Sequence, residues 1–241
     1  MFSHPPSPAS SGEPAPEGRP LDPEGRPPAP QERAPASSDP MLGLLSRGLE
    51  FWLRQQCDAI DQLEIQLAGS ASQLLRGRLD GVRLVARRVV FQALHIEHVE
   101  LQSEPIRVRM GALLRTQMVQ LQQPFRIQGQ VALSSEGLSH SLSTSSWRSL
   151  GDDLAEQLLG LTPLGGLRIE EGRLVLLASG MGSSTPLQRA VTLQAVDGTI
   201  EISSEDGETS MRLPMDPGIR IDQAALEGPL LLLQGEARVS P

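Results

Sequence analysis

From Leu63 onward, apolar residues recur mostly at every second position, and that period excludes a helical bundle for most of the chain. The cleanest instance runs from Phe125 to Leu133. Phe125, Ile127, Gly129, Val131 and Leu133 point one way, and Arg126, Gln128, Gln130 and Ala132 point the other, which describes a sheet with one dry face and one wet face. Leu63, Ile65 and Leu67 alternate with Glu64 and Gln66 in the same manner. Val82, Leu84 and Ala86 share one face of a strand expected over Leu79–Phe91. Leu94 and Ile96, then Val99 and Leu101, change phase at Glu97–His98, which reads as a bulge. Ile106, Val108 and Met110 alternate with Arg107 and Arg109.

The C-terminal part continues the pattern. Strands are expected at Leu167–Ala178, Leu187–Val196, Ile200–Ser203, Met211–Leu213, Ile219–Ala225 and Leu230–Val239, with Asp197-Gly198 and Asp206-Gly207 as hairpin signals. Gly180-Met181-Gly182 follows a strand pattern but opens no helix, so it reads as a hairpin loop rather than a phosphate cradle.

Two stretches carry helical spacing. Leu42, Leu45, Leu49, Trp52, Leu53 and Gln56 predict an amphipathic helix from Met41 to about Asp58, capped by Ser37-Ser38-Asp39 with Pro40 at its first position. Leu150, Leu154, Leu158 and Leu161 predict a second from about Ser149, ended by Pro163 and Gly165-Gly166. Ser70–Arg76 reads as a short helix or turn. Residues 1–40 hold 12 of the 20 prolines and almost no large apolar side chains, so they cannot bury enough area to offset ordering, and a disordered arm is expected there.

The expectation is an α+β chain: the arm, then one β-rich domain over 41–241. A long, curved, mostly antiparallel sheet would carry two main helices on its apolar face, since βαβ alternation is scarce. Two helices must cover many strand faces, which leaves apolar sheet surface to line a groove.

Composition narrows the function. The net charge is −8 and aromatic residues are few, which argues against nucleic acid. The charge is uneven: residues 76–126 hold nine Arg against four acids, while 151–241 hold six against fourteen. Cys57 is the only cysteine, so no disulfide framework exists. The N-terminus has neither a basic start nor an apolar run, and no stretch reaches the ~20 apolar residues of a membrane span. The expected address is the cytoplasm, with peripheral membrane contact left open.

Catalytic motifs are missing. There is no G-x-S-x-G elbow, Cys57 lies in a helical pattern without a base nearby, and the pairs Asp152-Asp153 and Glu170-Glu171 diverge as sequence neighbours do. In a strand, His95 and Glu97 share a face while His98 opposes them, so a metal site is not expected, nor is a cofactor or an enzymatic activity. What remains is an apolar sheet and an arginine cluster, Arg76, Arg78, Arg83, Arg87 and Arg88, with Arg107 and Arg109 on a later strand. Guanidinium forks match phosphate oxygens. A phospholipid site follows: Arg83, Arg87, Arg88, Arg107 and Arg109 at the headgroup, and Leu49, Trp52, Leu63, Ile65, Val82, Leu84, Phe125, Ile127 and Val131 along the chains. The competing expectation is a protein-interaction scaffold with a fully packed core.

Several segments carry a family resemblance: Phe51-Trp52-Leu53-Arg54-Gln55-Gln56, Leu63-Glu64-Ile65-Gln66-Leu67-Ala68-Gly69, Leu74-Leu75-Arg76-Gly77-Arg78-Leu79-Asp80-Gly81-Val82, Leu94 to Leu101 and Pro105-Ile106-Arg107-Val108. Together they resemble the LmeA-like phospholipid-binding family, most closely over about Leu45 to Leu161. The resemblance implies a long curved sheet packed on helices, similar to tubular lipid-binding folds, and phospholipid binding without catalysis.

Overall fold

In this computed structural model the described residues are 40–109, 121–178 and 186–241. The arm expected over the first 40 residues, the caps Ser37-Ser38-Asp39, Met110 and the Gly180–Gly182 loop lie outside them, apart from Pro40 itself.

The first helix, α1, runs Pro40–Gln56 and begins on its proline, as the lost N–H of that position allows. It lies along β1 (Ala59–Ala68), burying Leu42, while the Ser46 hydroxyl donates to the Ile65 carbonyl at 2.8 Å. A one-turn helix α2 (Ala71–Leu75) follows, closed by a reciprocal capping box between Ser70 and Gln73. Then come β2 (Arg78–Leu79), β3 (Gly81–Phe91), β4 (Leu94–Ser103), β5 (Ile106–Arg107) and β6 (Phe125–Ser134).

Directly after β6 the chain forms α3 (Ser135–Ser143), a helix that periodicity did not reveal. Its sequence is rich in Ser and poor in large apolar residues, so propensity is weak and its stability comes from tertiary bonds. The Ser139 hydroxyl both donates to the Leu167 carbonyl and accepts the Leu167 N–H, at 2.8 and 2.9 Å. The buried Ser141 hydroxyl accepts the His95 N–H at 2.9 Å. α3 therefore ties two separate sheets together.

The second expected helix is α4 (Arg148–Leu159), ended by Gly160 in the left-handed conformation. The remaining strands are β7 (Leu164–Glu170), β8 (Arg173–Ala178), β9 (Leu187–Val196), β10 (Thr199–Ser204), β11 (Ser210–Arg212), β12 (Ile219–Glu227) and β13 (Leu230–Val239). Leu167–Ala178 is thus a hairpin, not one strand. Glu171 and Gly172 both take positive φ at its turn, a geometry the sequence signals only through the glycine. The Asp197-Gly198 turn is as expected, both residues at positive φ between β9 and β10.

Among the described residues all strand pairings are antiparallel. One sheet has the order β1-β3-β4-β6-β13-β12, the other β11-β10-β9-β8-β7, and β2 pairs β5 as a separate ribbon. The Ile221 N–H donates to the Gly198 carbonyl at 2.8 Å, joining the edge of the larger sheet to the β9–β10 turn. The result is α+β: a long open antiparallel sheet, not closed into a barrel, with four helices among the described residues.

Burial is unequal along this structure. Over the five-stranded sheet, α4 packs Leu154, Ala155 and Leu158 against Leu174, Leu176, Val191, Ile200 and Met211, and Leu158 and Leu176 are 0% exposed. From the six-stranded sheet only Leu133 and Leu231 are buried in this cluster, and its remaining buried cluster is small, centred on Ala86, Val89 and Val99. Leu158→Ala should therefore cost about 2–5 kcal/mol. Leu101→Ala, on the less sealed sheet, should cost markedly less, about 1 kcal/mol. Urea midpoints of the two variants measure this; equal losses would mean that both sheets are packed alike.

Candidate functional site

The dry face of the six-stranded sheet is assembled in rows across its strands, because antiparallel partners at equal pleat carry side chains to the same side. One row is Leu63, Ala86, Val99, Val131 and Leu233. The next is Ile65, Leu84, Leu101, Gly129, Gly235 and Ile221, and a third sets Leu67 beside Val82 and Ile127 beside Ala237 and Ile219. α1 covers the β1 edge, where Ile65 is buried. Leu84, Leu101, Ile127, Val131, Ile221 and Leu233 are only half-buried.

Two neighbouring glycines sit in the middle of this face because the backbones come too close for a side chain. A Cβ on Gly129 would strike the Leu101 side chain and, at 2.7 Å, the Glu100 carbonyl. One on Gly235 would strike the Arg220 carbonyl and lie 3.0 Å from the Ile221 Cα, beside the register shift in β12.

At the far end of β1, β3 and β4 the pleat changes phase. Ile60, Val89 and Ile96 join the same cluster as Leu63, Ala86 and Val99, although an odd number of residues separates each pair from regular alternation. The β1–β3 and β3–β4 registers run unbroken through this zone, so the bulge expected at Glu97–His98 is not an inserted residue. Instead Arg88 takes φ +47°, rare for a residue with a Cβ, and the three strands flip together. Arg88 Nε donates to Asp61 Oδ2 at 2.5 Å, and this hydrogen bond, with the Asp61 charge and then Glu97, raises the guanidinium pKa. The pair is solvent-exposed and screened. An open cleft of about 450 Å³ here is lined by Asp61, Arg88, Glu97, Glu136 and two histidines, His95 and His140, whose rings meet edge to face at 4.5 Å. Among the described residues no group of three His, Cys, Asp or Glu is placed to hold a metal ion.

The arginines expected at one headgroup site are spread over three places. Arg83 and Arg87 alternate with Leu84 and Ala86 and stand on the wet face, Arg83 bound to Glu100 at 2.5 Å and Arg87 opposite Gln62 and His98. Neither shares a surface with the chain-lining set. Arg88 is committed to Asp61. Arg107 lies directly across the β2–β5 ribbon from Arg78, and Arg109 follows two residues on, exposed. Like charges placed opposite one another destabilise a ladder, yet Arg78, Arg107 and Arg109 make no ion pair among the described residues. Arg78 belongs with Arg107 only through strand pairing, a signal absent from local spacing. The two line an open cleft of about 440 Å³ with Leu79, Ile106 and Pro124, and with the carboxylates Asp80 and Glu104. Glu104 faces Arg126, and Asp80 accepts from Gln73.

Of the chain-lining set, Leu63, Ile65, Val82, Leu84, Ile127 and Val131 share the dry face, with Leu49 half-buried on the side of α1 that faces it. Phe125 ends the same pleat and lines another open cleft with Ile219 and Arg238. Trp52 does not belong: it is 53% exposed on the outer side of α1. Helical spacing placed it with Leu45 and Leu49, but the buried stripe is centred on Leu42, Ser46, Leu49 and Leu53.

The LmeA-like phospholipid-binding family matches over residues 37–235. No curated protein and no solved structure matches. No helix among the described residues is long and apolar enough to cross a membrane.

Cys57, the one thiol, is half-buried just after the end of α1 and packs against the Ala86, Val89 and Val99 cluster with Ile60 and Leu63. Burial pushes its pKa above the ordinary 9.0, and the neighbouring Asp58 carboxylate pushes it further. A raised pKa leaves less thiolate at neutral pH. Cys57 should therefore react with a chromogenic disulfide more slowly than free cysteine at pH 7 to 8, and the rate should keep climbing above pH 9.0. A rate equal to that of free cysteine at pH 7 would contradict this environment.

Proposed function

This chain belongs to the LmeA-like phospholipid-binding family, and we propose that it is a non-catalytic carrier that holds acyl chains on the half-buried face of the six-stranded sheet. The phosphate would sit against Arg78 and Arg107, with Arg109 beside them. The observation that carries this reading is the unsealed dry face: Leu84, Leu101, Ile127, Val131 and Ile221 are apolar, contiguous and only partly covered.

The energetics are adequate. Each methylene removed from water contributes ~0.8 kcal/mol, so eight of them on this face would give roughly 6 kcal/mol before ordering costs. The ribbon supports the headgroup assignment by position and by charge. β2 and β5 flank the ends of β3 and β4 next to Leu67, Val82 and Ile127, where a chain lying on the dry face would emerge. Its two facing guanidinium groups would gain from an anion between them, each worth on the order of 1 kcal/mol at an anionic lipid. The scaffold alternative needs a fully packed core, and the half-buried rows count against it.

Native mass spectrometry of protein incubated with phosphatidylglycerol vesicles tests this reading. The parent should carry about one phospholipid. Arg78→Ala with Arg107→Ala should retain it several-fold less, most clearly at low salt, whereas Arg83→Ala with Arg87→Ala, on the wet face, should retain it as the parent does. A parent that emerges lipid-free sinks the proposal; equal retention by all three sinks the headgroup assignment.

A further inference from the structure

We infer that the outer face of α1 is a docking surface for an anionic phospholipid bilayer, and that it brings the dry sheet face to the membrane from which lipid is taken. This rests on the reading above that the protein binds phospholipid.

α1 is apolar on two sides. Its inner stripe is anchored to β1 by Leu42, Leu49 and Leu53 and by the Ser46 bond to Ile65. On the other side Leu44 is 68% exposed and Phe51 65%, with Trp52 and Leu45 also open to solvent. At 100° per residue these four fall within one arc of about 120°, two turns long, rather than scattered singly. Arg47 and Arg54 stand at the border between this arc and the remaining polar side, and Arg54 is held there by a 2.7 Å hydrogen bond to the Ile60 carbonyl. Glu50 is the only acid in the helix.

Leucines with Trp and Phe on one side and arginines along the border are the features of a helix that lies in the interfacial plane of a bilayer. Charge complementarity selects the occupant. Anionic headgroups match Arg47 and Arg54, whereas a second copy docking face to face would bring the same guanidinium groups together. Continuity supports it as well: α1 covers Leu63 and Ile65, the first residues of the dry face, so a membrane contacting its outer side meets the sheet at the edge where the apolar rows begin.

The test uses the full chain carrying Trp147→Phe, which leaves Trp52 as its single tryptophan. With phosphatidylglycerol-containing vesicles, Trp52 emission should shift to the blue and be quenched by lipids brominated high on the acyl chain. Phosphatidylcholine vesicles should give a weaker effect. In the otherwise native chain, Leu44→Ser with Phe51→Ser should lower vesicle affinity at least about tenfold, while native mass spectrometry still finds phospholipid retained. Both positions are exposed, so folding is preserved, and circular dichroism checks this. Unquenched Trp52, or equal vesicle binding by the double variant, overturns the docking face. So does a parent that is dimeric where the variant is monomeric, with no change in vesicle binding. Retained lipid with failed docking leaves the carrier reading intact; docking without any retained lipid removes the carrier reading alone.

Discussion

A helix about 10 Å across can shield roughly two strands spaced about 4.8 Å apart, and this mismatch between cover and sheet governs the structure. α4 lies over the five-stranded sheet with α3 beside it, and the interior there is closed, down to the fully buried Leu158 and Leu176. The six-stranded sheet has α1 along one edge and α3 against part of β4 and β6, so Leu84, Leu101, Val131, Ile221 and Leu233 remain half-buried. The smaller sheet supplies most of the closed core, and the larger presents half-buried apolar surface.

The two sheets share an apolar interior, in which Leu133 and Leu231 of the larger sheet join Leu176 and Ile200 of the smaller, and α3 adds polar ties between them. α3 is a weak helix on its own, yet Ser139 binds the backbone of β7 and Ser141 that of β4. Buried hydroxyls with satisfied partners fix geometry that leucine packing alone would leave loose. This brace also holds His95 next to His140. In the larger sheet, Gly129 and Gly235 allow neighbouring backbones to approach.

Charge follows the same logic of position. Most arginines with a carboxylate near them use it: Arg83 with Glu100, Arg88 with Asp61, Arg126 with Glu104 and Glu236. The arginines at the β2–β5 ribbon do not, and they face one another. Among the described residues the basic stretch thus resolves into neutralised surface pairs and a few arginines without an ion pair, of which Arg78 and Arg107 are cross-strand partners.

Much of this was legible in the chain itself. Alternation determined the strands, their dry and wet residues and the antiparallel α+β class; leucine spacing determined α1 and α4; and the segments from Phe51 to Val108 pointed to the family. These are local properties, set by the period of the backbone and by what each side chain does in water. Tertiary structure decided the rest: that α3 forms, that Trp52 faces outward, that the pleat flips at Arg88, and that Arg78 rather than Arg83 stands beside Arg107. Each depends on which strand lies next to which, and a pleat that sends adjacent residues to opposite faces separates neighbours in sequence while strand pairing unites distant ones.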